Sequence, residues 1–433
     1  MKGRARGRGV SLGTLLMLLL TALVVGVCVL FLVMIAGGGE APVPIARVPG
    51  TEQPQATPTP AMTPRLTGTS TAPPPPATDA PPTDAPPTPA PVTITLAAAG
   101  TVYAPKAVRE SARQRDGSYD FTPVFSGLLD TLSGADLAIA TLETTIAGRD
   151  KGLGNYNTAP ELLDALRSCG VDLLSLATEH ALDKGYDGLG LTVSELTARG
   201  LACAGVSPDG AAGQAAMLRV GGVQVAVLAY AYGLSDEGAR RTDGDRQGAL
   251  ALLETERMVQ DITQARVSGA NLVVVLPHWG TKNKQDTPDA LRRMARTLAE
   301  AGADVILGAH PNVAQGTERL RVTRSDGLEH EAVVCYSLGT LLTDARTAEN
   351  TAGMIAHLSV TYDPATRRIA LGELYCTPVY VACQREQGET AYRVVDAESA
   401  PALERLSQAE REAAQRAVQL VRDATADGQE GQG

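Results

Sequence analysis

From Val92 onward, apolar runs of strand length alternate with stretches whose apolar positions recur every three or four residues, the pattern of strands alternating with amphipathic helices. The clearest unit lies between Asn271 and Asn312. Leu272 to Leu276 form a continuous run rich in β-branched residues, suited to a strand buried on both faces, and His278 follows directly. Thr287-Pro288-Asp289 opens a helix, with the threonine placed to cap the free amides and the proline tolerated in the first turn. Leu291, Met294, Ala295 and Leu298 then recur at helical spacing up to Gly302. Val305 to Leu307 form a second strand, and Gly308-Ala309-His310-Pro311-Asn312 turns out of it. A right-handed crossover makes the two strands parallel, so His278 and His310 are expected at one edge of one sheet, where α/β proteins build their sites.

The same alternation organises the residues before this unit. A strand from Val92 ends at Gly100-Thr101, a helix is expected over Thr122 to Leu132, and the strand Asp136 to Ala140 runs into Thr141-Leu142-Glu143. Helix Pro160 to Ser168 leads to strand Val171 to Leu176 and then Thr178-Glu179-His180. A helix around Leu189 to Ala198, a short strand at Leu201 to Gly205, a hairpin about Gly221-Gly222 and a helix Glu254 to Ser268 follow. After Asn312 strands succeed one another without helices, which gives an α/β domain with an antiparallel C-terminal extension. Ser407 to Thr425 reads as a closing helix, with Ser407 and Glu410 spaced as a capping box.

The N-terminal part follows different rules. Residues 1–9 carry Lys2, Arg4, Arg6 and Arg8, and residues 10–36 are almost uninterruptedly apolar, long enough to cross a bilayer with the basic flank inside. The run exceeds the apolar region of a cleaved signal peptide, so an uncleaved signal anchor is expected. Residues 37–91 hold most of the 27 prolines and repeat TDAPP at 78–82 and 83–87, a Pro/Thr-rich disordered stalk that cannot form a core. The expected organisation is thus a cytoplasmic basic start, a single-pass anchor, the stalk, an extracellular domain over 92–395, and a helix with a polar tail over 396–433.

Composition narrows the function classes. Three Phe and one Trp leave the core to aliphatic residues, and a net charge of -10 argues against nucleic acid as a partner. The same charge offers an acidic polymer no general attraction, so affinity for one would need a local basic patch. Of six cysteines, Cys28 lies in the apolar segment; Cys335, inside an apolar strand, reads as a buried thiol.

Three of the five histidines, His180, His278 and His310, directly follow strands of the α/β part, and Glu143 and Glu179 do likewise. Imidazole with hard oxygen donors suits Mn, Fe or Zn, in a site able to activate water or polarise a phosphoryl group. His330 and His357 fall in the antiparallel extension and read as structural.

In order along the chain stand YDFTPVF at 119–125, ADLAIATLET at 135–144, APELLDAL at 159–166, VDLLSLATEHALDKGYDGL at 171–189, HWG at 278–280, ADVILGAHPNVAQG at 303–316 and YSLGTLLTD at 336–344. The set resembles the CapA family of capsule or poly-γ-glutamate synthesis proteins. That resemblance implies a metallophosphatase-like α/β/β/α sandwich. The departures fall on the family's metal-binding positions: Thr101 stands for an aspartate, Thr141 and Thr178 for asparagines, Glu179 for an asparagine, Ala309 and Asn312 for histidines, and Thr340 for an asparagine. What the resemblance leaves is a metal set of Glu143, His278 and His310, with Glu179 and Asn312 as substitute oxygen ligands and His180 as the catalytic group. It implies one divalent ion (Mn, Fe or Zn) or none. Two functions follow from it: a membrane-tethered protein that handles or anchors an envelope polymer beside its synthase, or a metal-dependent hydrolase or transferase acting on that polymer.

Overall fold

The computed structural model describes residues 90–426. The apolar segment 10–36 and all but the last two residues of the stalk lie outside them; among the described residues no helix is long and apolar enough to cross a membrane.

Among the described residues fourteen strands run in chain order: β1 (Val92–Val102), β2 (Leu137–Leu142), β3 (Leu173–Ser175), β4 (Ala202–Ala204), β5 (Ala216–Val220), β6 (Val223–Ala231), β7 (Leu272–His278), β8 (Val305–Leu307), β9 (Thr317–Thr323), β10 (Glu329–Cys335), β11 (Thr340–Leu342), β12 (Ala352–Asp363), β13 (Arg368–Glu386) and β14 (Glu389–Asp396). They form two sheets. One has the order β14-β13-β12-β1-β2-β3-β4, with β11 also paired to β1; the other has the order β5-β6-β7-β8-β10-β9. The parallel strands β1 to β4 and β6 to β8 sit where strand and helix alternate in sequence, and the late strands extend both sheets, largely in antiparallel pairs.

The sheets pack face to face, and strand alternation explains how. Along β1, Leu96 and Ala98 face the core between the sheets, with Ile139, Val225, Val274 and Met354. Ala97 and Ala99 face the opposite way, toward Val108, Phe125 and Leu162 of the covering helices. The outer face of the second sheet, including Leu228, Val273 and Val275, is covered by helices Thr255–Val267 and Asp289–Ala301 through Met258, Ile262, Ala295 and Leu298. The result is the four-layer α/β/β/α order expected from the resemblance.

Three local expectations need correction. The helix expected over Thr122 to Leu132 is two short helices, Thr122–Phe125 and Leu129–Leu132. The break is at Gly127, where a Cβ would lie 2.8 Å from the backbone oxygen of Val394, so the chain bends there to admit β14. Thr287 does not cap its helix: the N-cap is Pro288, with no side-chain bond. In the C-terminal helix Gln408–Ala426, Ser407 Oγ accepts from the Glu410 amide at 3.3 Å, but the Glu410 carboxylate turns away to accept from Tyr380 Oη at 2.6 Å. Only half of the capping box forms. All five described cysteines are free thiols, and Cys335 is buried.

Candidate metal centre

The C-terminal ends of β2, β3, β7 and β8 converge, and they carry Glu143, Glu179, His180, His278 and His310 to one place. His278 closes β7 and bridges in parallel to Ala309, so the two histidines of the strand-helix-strand unit do meet, with ring centroids 4.9 Å apart. The turn that delivers His310 is tightly determined. A Cβ on Gly308 would fall 1.9 Å from the Tyr336 backbone oxygen, so only glycine fits there. His310 has φ 97° and Asn312 φ 60°, conformations that non-glycine residues hold only when their surroundings over-determine them. Trp279, beside His278, is 1% exposed and donates its Nε1 proton to the same Tyr336 oxygen at 2.8 Å.

Glu179 is the hub. Its Oε2 accepts from His278 Nε2 at 2.7 Å, while its Oε1 lies 3.5 Å from His310 Nδ1, 3.7 Å from His180 Nε2 and 2.9 Å from Lys282 Nζ. Burial opposes its charge, yet the bonds from His278 and His310 outweigh burial and hold the carboxyl well below its ordinary range. Glu143 behaves oppositely: burial, and then the Glu179 charge, push its carboxyl up to about 8 against the pull of Lys282. Burial lowers His278 to about 4 and keeps it neutral, the form in which imidazole binds metal. For Lys282, burial would lower the pKa, but Glu143 and Glu179 outweigh it and hold the ammonium protonated.

His180 is oriented from two sides. Its Nδ1 is 2.8 Å from Asp183 Oδ2, whose other oxygen accepts from the Ser235 hydroxyl, and its ring stacks on Tyr156 with centroids 3.3 Å apart. Tyr156 is held by a loop built on Asn157, which is fully buried. The Asn157 Oδ1 accepts from the Ala147 amide at 2.8 Å and Thr145 Oγ1 at 3.1 Å, and its Nδ2 donates to the oxygens of Gly148 and Gly152 at 3.1 and 3.0 Å. Asn157→Ala orphans several of these groups and is expected to lower stability by roughly 1–3 kcal/mol, read by urea unfolding.

The structure sorts the residues singled out in the sequence. Ligand atoms of Glu179, His278 and His310 lie within 4.8 Å of one another, as do those of Glu143, Glu179 and His180. Glu143 therefore joins His180 rather than the His278 and His310 pair. Asn312 lines a cleft of about 230 Å³ with Glu143, Tyr103, Tyr156 and Lys282. Thr101 pairs in register with Thr340 on one side and Thr141 on the other, a row of hydroxyl side chains without charge beneath the centre. Thr178 and Ala309 are buried beside it. His330 Nε2 meets the Ala303 oxygen at 2.9 Å, and His357 stacks on Tyr375, both outside the centre.

Four contributors were not singled out in the sequence: Lys282, Asp183, Tyr156 and Tyr232. Tyr232 is 50% exposed and walls the imidazoles, its ring 4.4 Å from that of His310. Only Asp183 had a local signal, three residues beyond His180 in a turn.

The donor set fits one divalent ion. His278 Nε2 and His310 Nδ1 are 3.3 Å apart beside a buried carboxylate. That spacing is the edge of a tetrahedron with metal to nitrogen bonds of about 2.0–2.1 Å. His278 Nδ1 and Glu143 Oε2 are buried without a hydrogen-bond partner, leaving the centre incompletely satisfied by its own groups.

Residues 95–345 match the family described as bacterial capsule synthesis protein PGA_cap. The chain is 30% identical over 194 residues to the PGA biosynthesis protein CapA of Bacillus subtilis, covering 44% of this chain and 47% of that protein. It is 25% identical over 264 residues to the capsule biosynthesis protein CapA of Bacillus anthracis, covering 58% and 60%. A probable polyglutamine synthesis accessory protein of Mycobacterium tuberculosis is 29% identical over 187 residues, 40% of this chain and 49% of that one. The chain thus spans about half the length of the curated relatives it matches, and three-fifths in one case. Among solved structures, a calcineurin-like phosphoesterase from Bacillus subtilis aligns with a TM-score of 0.42 at 11% identity, covering 78% of this chain and 98% of that one.

Proposed function

The chain belongs to the family of bacterial capsule synthesis proteins, and from that premise we propose that it handles or anchors an anionic envelope polymer, poly-γ-glutamate or another capsular chain, through a domain with a reduced metal centre. In this reading residues 10–36 hold it in the cell membrane as a single-pass anchor, the N-terminus is cytoplasmic, and the domain stands outside, beside a membrane-bound polymer synthase.

The observation that carries the reduced centre is the row Thr340, Thr101 and Thr141, together with Ala309: the positions beneath the site offer no charged ligand. Handling of a polyanion by a chain of net charge -10 needs a local basic surface. One is available at the opposite ends of the strands, where a cavity of about 590 Å³ is lined by Arg266, Arg321, Arg324, Arg367 and Arg368 against Asp304, Glu329 and Glu331. Poly-γ-glutamate binding by the full chain is expected to weaken several-fold in Arg367→Ala/Arg368→Ala and to fall with added salt. Binding by the variant equal to the parent's would remove this cavity from the reading.

A second reading, a metal-dependent hydrolase or transferase, is favoured by the cluster of Glu179, His278 and His310 and by the orientation of His180 through Asp183. A bound ion would supply Lewis-acid polarisation of a phosphoryl or carbonyl oxygen. His180 would then hold a proton toward the leaving group, and Tyr232 would limit water around the imidazoles. Metal content of the full chain separates the readings: the enzyme predicts about one ion per chain, abolished in His278→Ala and in His310→Ala. Metal-free protein with intact polymer binding would leave the handling function alone.

A further inference from the structure

Lys282 stands on the loop after β7, and its ammonium reaches into the centre. Its Nζ is 2.9 Å from Glu179 Oε1 and 3.6 Å from Glu143 Oε1, so one cation faces one oxygen of each carboxylate. We propose that Lys282 is a tethered cation that stands in for a second metal ion, so that the centre accepts at most one divalent ion, on Glu179, His278 and His310. The proposal goes beyond the family reading and rests on the one-ion reading only for the absolute count of ions.

Three observations support it. First, the Glu143 and Glu179 side chains are each 3% exposed, and two such carboxyl groups side by side can both be ionised only with a positive charge between them. The ammonium provides it without a metal. Second, charge balance limits further cations. Even with both carboxyl groups ionised, one divalent ion and one ammonium exceed them by a single charge, and a second divalent ion would raise the excess to three. The surrounding Thr101, Thr141, Thr340 and Ala309 are uncharged and buried, and of the two further acids nearby Asp183 is engaged by His180 and Ser235 while Asp344 lines the outer cleft, so little at the carboxylates themselves would offset it. Third, the remaining donors of the Glu143 side are either committed or waiting. His180 Nδ1 is held by Asp183, whereas Glu143 Oε2 is buried with no hydrogen-bond partner. Removing the ammonium would therefore uncover two carboxylates and a free oxygen, a site of hard donors for an ion such as Mn²⁺.

The test is Mn²⁺ stoichiometry by equilibrium dialysis and elemental analysis on the full chain. Lys282→Met removes the charge at nearly constant volume and is expected to take up one ion per chain more than the parent. Lys282→Arg, which keeps the charge, is expected to match the parent, and Lys282→Met/Glu143→Gln to return to the parent value. Lys282→Gln, measured in parallel, serves if the methionine variant does not fold. Stoichiometry in the charge-removing variants equal to or below the parent's would overturn the proposal. A parent with no ion and a variant with one would uphold it while refuting metal binding at the histidine pair; one ion in both would do the reverse.

Discussion

Replacing Trp279 by alanine is expected to lower the folding free energy by roughly 3–5 kcal/mol, the cost of emptying a large aromatic site in a close-packed core. The ring is 1% exposed, stacks near Tyr336 with centroids 6.2 Å apart, and packs with Leu298, Ile306 and Val334 in the layer that covers the second sheet. Its loss also strips the Tyr336 oxygen of its indole donor at a point where Gly308 already makes the closest backbone approach. Thermal unfolding should report the change as a fall in Tm of roughly 4–7 °C for a domain of this size. Trp279→Phe separates the two contributions: it restores most of the volume and leaves the carbonyl unpaired, for a loss of roughly 1–3 kcal/mol. A Trp279→Ala variant as stable as the parent would show that the strand end bearing His278 is held by something other than this contact.

The second large effect is expected at Glu179. Glu179→Ala removes the group on which His278, His310, His180 and Lys282 all converge. Breaking a buried ionic contact from one side costs about 3–5 kcal/mol when the partner stays buried and unpaired. Lys282 is 37% exposed at its side chain and still has Glu143 at 3.6 Å, so it can turn to water or keep one partner, and the loss should lie near 3 kcal/mol. Metal binding suffers more than stability. With two imidazoles left and no carboxylate between them, retention of a divalent ion should drop by at least two orders of magnitude, read as loss of bound Mn²⁺ on dialysis. Glu179→Gln keeps the shape and should recover stability but not the metal. Full metal retention in either variant would place the ion elsewhere.

The strand-helix-strand unit was legible because its signals are local: a β-branched run, a helical period ended by Gly302, and a second apolar run whose bounds the structure reproduces as Val305–Leu307. Glu143, Glu179 and His180 were legible as strand-end residues for the same reason. Lys282 was not. A lysine between Thr281 and Asn283 in a polar turn reads as a solvated side chain, and its meaning depends on carboxylates contributed by other strands. Tyr156 was hidden similarly, since its place against His180 is set by the buried amide of Asn157 rather than by any periodicity. The continuous helix over 122–132 failed because propensity carries no record of β14, which needs Gly127 to pass closely. The missing half of the C-terminal capping box has a like cause: Tyr380, on β13, competes for the Glu410 carboxylate and wins it.

The place of β1 bears on how the domain carries load. Its first residue, Val92, pairs with Tyr362, and the antiparallel ladder continues to Ala99 opposite Ile355, while β2 pairs in parallel along the other edge from Leu96 to Val102 and β11 at Thr101 and Val102. Hydrogen bonds in such ladders lie across the strand axis. Tension directed along β1 therefore shears these bonds together, instead of peeling them one at a time. Rupture must break neighbours on both sides of an interior strand at once. A load applied at Val92 thus enters the domain through an interior strand of its first sheet and not through an edge.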